Sequence, residues 1–300
     1  MKKLLSLALI LMLLAPLALA EAPATDRMGN PIALPADPTR VICLSSAAAQ
    51  IVEGLGMFDR LIAVDSYSPF YIPEAAELVQ FDMMAPDIEQ IAALEPDLVL
   101  VTSMSFVEGD NPYQPLIDMG VTIAVVPSSG VIADIMADIL FVAQCFGAED
   151  AGQAMVDEMQ AKIDEIAAIG ETISEEKSVF FEIGALPYLY SFGTGNFLDE
   201  MITLIGATNA MGDQEGWLSV TEESAIGANP DVILTSVNYI EDAVGEILAR
   251  PGWENVTAVA NGDVYYIDNA AASLGNQNIV NALVEMARAV YPDAYAQLED

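Results

Sequence analysis

The chain has 300 residues, 54% of them apolar, with nine Lys and Arg against 45 Asp and Glu and a formal net charge of −36. That length suffices for two compact lobes, and so acidic a chain lacks the clustered cations needed to hold nucleic acid or anionic lipid. There is no His and there are only two Cys, which removes the commonest general base and metal ligand and excludes a Cys/His zinc site.

Lys2 and Lys3, the apolar run Leu4 to Leu14, Pro16 and the small-x-small stretch Ala18-Leu19-Ala20 read as an export signal over residues 1–20. The rival reading is a membrane anchor, for which roughly 17 apolar residues are borderline. Cleavage near Ala20 removes two Lys and no acid, so the mature chain is more acidic still. No Cys stands at the cleavage point, so a lipid anchor is not indicated, and a soluble periplasmic or cell-surface protein is expected.

Residues 21–40 are irregular, with a turn at Gly29-Asn30-Pro31. Val41 to Leu44 forms a buried strand, Ser45-Ser46 caps a helix over Ala47 to Leu55, and Gly56 stops it. Strands follow at Leu61–Val64, Leu98–Thr102 and Val121–Val126, then a helix over Ile132–Cys145. From 149 to 169, Ala151, Met155, Met159, Ile163, Ile166 and Ile169 recur at steps of four and three with acids between, which predicts one long amphipathic helix. The pattern then restarts: strand Ser178–Ile183, helix Phe197–Ile205, strand Val232–Ser236, helix Glu241–Ala249, strand Val264–Ile267 and helix Ile279–Val290. Strands alternating with helices predict a parallel α/β sheet. Cys43 and Cys145 either pair or remain two buried thiols.

An internal repeat relates the two halves. Glu89, Pro96 and Asp97, just before one strand, match Glu223, Pro230 and Asp231 before another, each pair 134 positions apart. Each copy reads as cap (Asp87, Thr221), short helix, Pro-Asp turn and buried strand. Two related α/β lobes joined by the 149–169 helix are the resulting expectation. Such a connection predicts little hinge closure and a ligand between the lobes, at the C-terminal ends of their strands.

Several stretches resemble one family. These are Pro38 to Leu44, Ile88 to Val99, Gly193 to Glu200 with Leu204 to Asn209, and Arg250 to Trp253 with Ala258 to Tyr265. Together they resemble the class III substrate-binding proteins of ABC importers, the cobalamin and ferric-siderophore type with a helical backbone, over about residues 30–295. The resemblance implies two Rossmann-like lobes joined by a single long α-helix. The lobes would be 21–148 and 172–300, with 149–171 between them. It further implies a monomer without enzymatic activity or a resident cofactor. Such a protein captures an iron-siderophore, cobalamin or haem and hands it to a permease dimer. One Glu per lobe would dock on permease arginines, and Glu89 and Glu223 are the matching positions. As bland helix-start acids, each would stabilise its helix dipole by about 0.3–1 kcal/mol.

Aromatics in loops after strands, Tyr67, Phe106, Tyr188 and Tyr239, and Trp217 ahead of the second repeat copy are the expected ligand contacts, with Tyr71 and Tyr190 as further candidates. Where members that bind anionic siderophores carry arginines near the last strand, this chain has Ser273 to Asn278, so a neutral or cationic ligand is favoured. A direct metal-ion receptor using the acids and a carboxylate-based extracellular hydrolase are the alternatives. The first usually needs His, and no nucleophile elbow, P-loop or His supports the second.

Overall fold

The computed structural model describes residues 23–106 and 111–298, so the export signal lies outside them. In chain order the first half contains β1 (Val41–Leu44), α1 (Ser46–Gly54), β2 (Leu61–Asp65), β3 (Val79–Phe81), α2 (Ile88–Ala93), β4 (Leu98–Thr102), α3 (Gln114–Asp118), β5 (Thr122–Val126) and α4 (Ile132–Cys145). Then comes α5 (Glu149–Gly170), the longest helix described. The second half contains β6 (Ser178–Glu182), β7 (Tyr190–Phe192), α6 (Phe197–Leu204), β8 (Thr208–Asn209), β9 (Trp217–Ser219), α7 (Glu222–Ala228), β10 (Val232–Thr235), α8 (Ala243–Leu248), α9 (Thr257–Asn261), β11 (Val264–Tyr266), α10 (Asn269–Ser273) and α11 (Ile279–Val290).

The strands build two parallel sheets, ordered β3-β2-β1-β4-β5 and β11-β10-β6-β8. Reversing the second aligns β6 with β1, β10 with β4 and β11 with β5, so the sequence repeat is also a topological one. Its Pro-Asp turn has a mechanical role in both copies. Asp97 accepts from the amides of Thr39 and Arg40, at the entry to β1. Asp231 accepts from the amide and hydroxyl of Ser178, the first residue of β6. Each carboxylate thus fixes the register of a central strand pair. The match reaches the backbone: Glu95 and Asn229, also 134 apart, are the two non-glycine residues with positive φ among those described (49° and 46°).

Helix α5 holds on to both lobes by close approach. At Gly152 a Cβ would overlap Ala143 of α4, and at Gly170 it would overlap the backbone of Leu204 to Gly206. Its apolar stripe, Met159, Ile163 and Ile166, is buried in a core cluster that takes residues from both lobes. The acids between these positions stay outside, which accounts for the amphipathic period.

Some expectations are corrected in detail. Helix α1 starts at Ser46, with Ser45 alone as cap, its side chain accepting from the amide of Ala48. Helix α8 starts at Ala243 because Asp242 caps it through the Gly245 amide. Strand β3 and the small antiparallel pair β7-β9 have no counterpart in the sequence reading. The cysteines are free and buried, and burial pushes each thiol up to about 12.

Candidate functional site

The two lobes meet along segments that leave the C-terminal ends of strands. The carboxylate of Glu200, in the first turn of α6, accepts from the Ile132 amide at the start of α4 (2.8 Å). Asn276 and Gln277, past the last strand, donate to the side chain and backbone oxygens of Gln50 in α1 (2.8 Å each). The strand ends of both sheets therefore face a shared inter-lobe region.

Seven aromatic side chains are exposed among the described residues: Tyr67, Phe70, Tyr188, Tyr190, Trp217, Tyr239 and Tyr266. Tyr67 and Phe70 follow β2 with ring centroids 6.3 Å apart. Tyr188, 86% exposed, belongs to the loop after β6, and Tyr190 begins β7. Trp217, on β9, sets its edge against Phe192 of β7 (6.1 Å), which in turn packs on the buried Phe181 (5.6 Å). Tyr239 follows β10, and its hydroxyl accepts from the Ala185 amide (2.8 Å), tying that loop to the one bearing Tyr188. Tyr266 ends β11. All seven lie at strand C-terminal ends or on the β7-β9 pair beside them.

Four of the five aromatics singled out from the sequence, Tyr67, Tyr188, Trp217 and Tyr239, thus share this region. Phe106 does not join them: it is half-buried, packs 5.9 Å from the Tyr113 ring, and faces a separate cavity with Asp26, Asn30 and Thr122. Tyr71 turns toward the core, where burial raises its phenol pKa. Phe70 and Tyr266 were missed by sequence reasoning; each comes just after a predicted strand or at its end, and that position was the available signal.

Three of the cations are placed the opposite way. Arg40, Arg60 and Lys177 each immediately precede a strand, at its N-terminal end. There Arg40 donates to the carbonyls of Leu94 and Glu95, Arg60 pairs with Asp37, and Lys177 donates to the Val290 carbonyl. Arg288 donates to the Leu298 carbonyl, Lys162 pairs with Glu165 along α5, and Arg27 with Asp138. Burial raises the Asp138 pKa, opposed by hydrogen bonds from Arg27 and Ser129. Arg250 is buried, forked onto Glu182 at the end of β6 (2.6 and 2.9 Å), bonded to Glu246, and 5.0 Å from the Trp253 ring centroid. Burial raises the Glu182 pKa despite this partner. All seven described Lys and Arg are therefore engaged with protein groups.

On the first lobe a buried carboxylate lies beneath the region. Buried Asp65 accepts from the Ser46 hydroxyl and from the amides of Tyr67 and Met83. No group of three or more Cys, Asp or Glu converges as a metal site among the described residues.

The docking candidates occupy matched places. Glu89 is the second residue of α2, capped by Asp87, and Glu223 the second of α7, capped by Thr221. Both are exposed. The neighbouring Glu222 is committed otherwise, accepting from the Trp253 indole (2.9 Å).

Two parallel-sheet lobes on one helical connection, with aromatics at the facing strand ends, define a two-lobe solute-binding protein. A family model described as periplasmic binding protein matches residues 41–271, and the chain belongs to that family. It is similar to the ABC transporter substrate-binding lipoprotein YvrC of Bacillus subtilis (strain 168), with 28% identity over 274 residues, 91% of this chain and 86% of that protein. A cobalamin-binding protein of Halobacterium salinarum is 25% identical over 276 residues, 89% of this chain and 73% of that one. Among solved structures, molybdate-bound MolA of Haemophilus influenzae superposes with TM-score 0.79 at 20% identity, covering 92% of this chain and 93% of its own. The periplasmic haem-binding protein HutB of Vibrio cholerae gives 0.74 at 23%, covering 85% and 99%. The chain is a class III substrate-binding protein of an ABC transporter, a non-enzymatic transport component. No helix among the described residues is long and apolar enough to cross a membrane.

Proposed function

We propose that this chain is an exported receptor, released after cleavage near Ala20 and acting as a monomer. It captures a corrinoid between lobes spanning 21–148 and 172–300 and delivers it to a permease dimer. The observation that carries this reading is the segregation of side chains: among the described residues, each exposed aromatic lies at or beside the facing strand ends, and each Lys and Arg is engaged with protein groups. Flat aromatic surfaces suit a macrocycle. An anionic ligand taken into this region would lose hydration without gaining a cationic partner. That disfavours ferric citrate, molybdate and the carboxylate-bearing haem, which relatives are named for binding. A corrinoid presents neutral amides around its ring and offsets its phosphate with its metal centre. Tyr67, Tyr188, Trp217 and Tyr239 are the proposed contacts, and Glu89 and Glu223 dock the loaded receptor on the permease.

A thermal-shift and calorimetric screen tests the ligand. Cyanocobalamin at 100 times its Kd should stabilise the protein by about 2.7 kcal/mol through mass action, while haem, ferric citrate and molybdate leave the melting temperature unchanged. Tighter binding of any of those anions would overturn the corrinoid assignment.

A further inference from the structure

We infer that Glu200 and Gln277 are positioning residues that fix the angle between the lobes, and with it the width of the ligand cleft. Two bodies seated on one helix hold their mutual angle more tightly when further bonds join them away from its axis. The structure has two such sets, on different flanks of α5. One is the bond from the Ile132 amide to Glu200, beside the flank carrying Gln160 and Ile163. The other joins Gln50 to Asn276 and Gln277, beside the flank carrying Ala151, Met155 and Glu158.

The chemistry of each site supports a holding role. Helix α4 has no side-chain cap of its own: Val131 occupies the cap position and offers no acceptor. The Glu200 carboxylate fills that role from the other lobe, so the start of α4 is satisfied only while the lobes keep their present relation. Gln50 and Asn276 are buried, 5% and 0% exposed. A change of lobe angle too small to admit water would leave two buried amide groups unpaired, at the cost of their desolvation. Asn276 and Gln277 lie in the stretch Ser273 to Asn278, which here is spent on joining the lobes.

The inference rests on the ligand lying between the lobes, but its test has an arm that does not. Spin labels at Gln80→Cys in β3 and Asn255→Cys before α9 report the lobe-to-lobe distance in the ligand-free full chain. Cys43 and Cys145 are buried with their thiols pushed up to about 12, so the native protein labels at the introduced sites. Glu200→Ala with Gln277→Ala should broaden the distance distribution. It should also weaken cyanocobalamin binding about tenfold, as if a tenth of the molecules held the competent angle. Glu200→Gln keeps an acceptor oxygen and should restore the narrow distribution when Gln277 is intact. A double-alanine variant that folds and gives an unchanged distribution overturns the latches. A broadened distribution in a protein that binds no cyanocobalamin upholds the latches and overturns the corrinoid reading alone.

Discussion

Glu95 and Asn229 sit in the left-handed backbone region just before the Pro-Asp turns. Asn tolerates that conformation and uses its side chain there, accepting from the Thr257 amide and hydroxyl. Glu has neither advantage. Glu95→Asn should therefore raise stability by about 0.5–1 kcal/mol, and Asn229→Ala should lower it by roughly 1–2 kcal/mol, measured by chemical denaturation. Arg250 and Glu182 make a different residue-scale case, since both are buried and paired. Arg250→Met strands a buried carboxylate and should cost about 3–5 kcal/mol, whereas Arg250→Met with Glu182→Leu should recover most of that loss. A single variant as stable as the parent would show that Glu182 is accommodated as the neutral acid.

At the scale of elements, Gly152 shows how α5 is seated. The contact with Ala143 leaves no room for a Cβ, so Gly152→Val should push α4 and α5 apart and cost about 1–3 kcal/mol by overpacking, visible as a lower melting temperature. This scale was the most legible in the sequence. The strands over Leu98–Thr102 and the helices over Ile132–Cys145 and Ile279–Val290 occur as read, because burial on both faces, or on one helical stripe, imposes a strong apolar period. Strands β3, β7 and β9 have three residues each, with exposed positions beside more buried ones. No period can be established over so few residues, and their pairing comes from neighbours far along the chain. Phe106 fails for a related reason. Its place after a strand matches the other candidates, but its ring turns toward Tyr113, and the packing that turns it is not local.

At the scale of the whole molecule, the repeat places Glu89 and Glu223 on equivalent helices of related lobes. Under the proposed docking role, one charge per lobe would meet each half of a permease dimer. Glu89→Arg with Glu223→Arg should abolish uptake in cells while cyanocobalamin affinity of the isolated protein stays within about twofold, since rim charges act mainly on encounter with the partner. Uptake that survives the double reversal would remove the docking role. The latches at Glu200 and Gln277 belong to this scale too, since they join residues 68 and 227 positions apart.

By itself the sequence determined the lobes, their repeat and the helix between them. These follow from hydrophobic period, caps and turn residues, all of which act over a few neighbouring positions. It also determined the excess of acid and the lack of His, which narrow the chemistry whatever the fold. Only the tertiary structure decided where the few cations and the exposed aromatics lie relative to the cleft. A side chain's exposure and partner depend on which distant strand end or helix comes to rest beside it, and that is settled when the two lobes pack together.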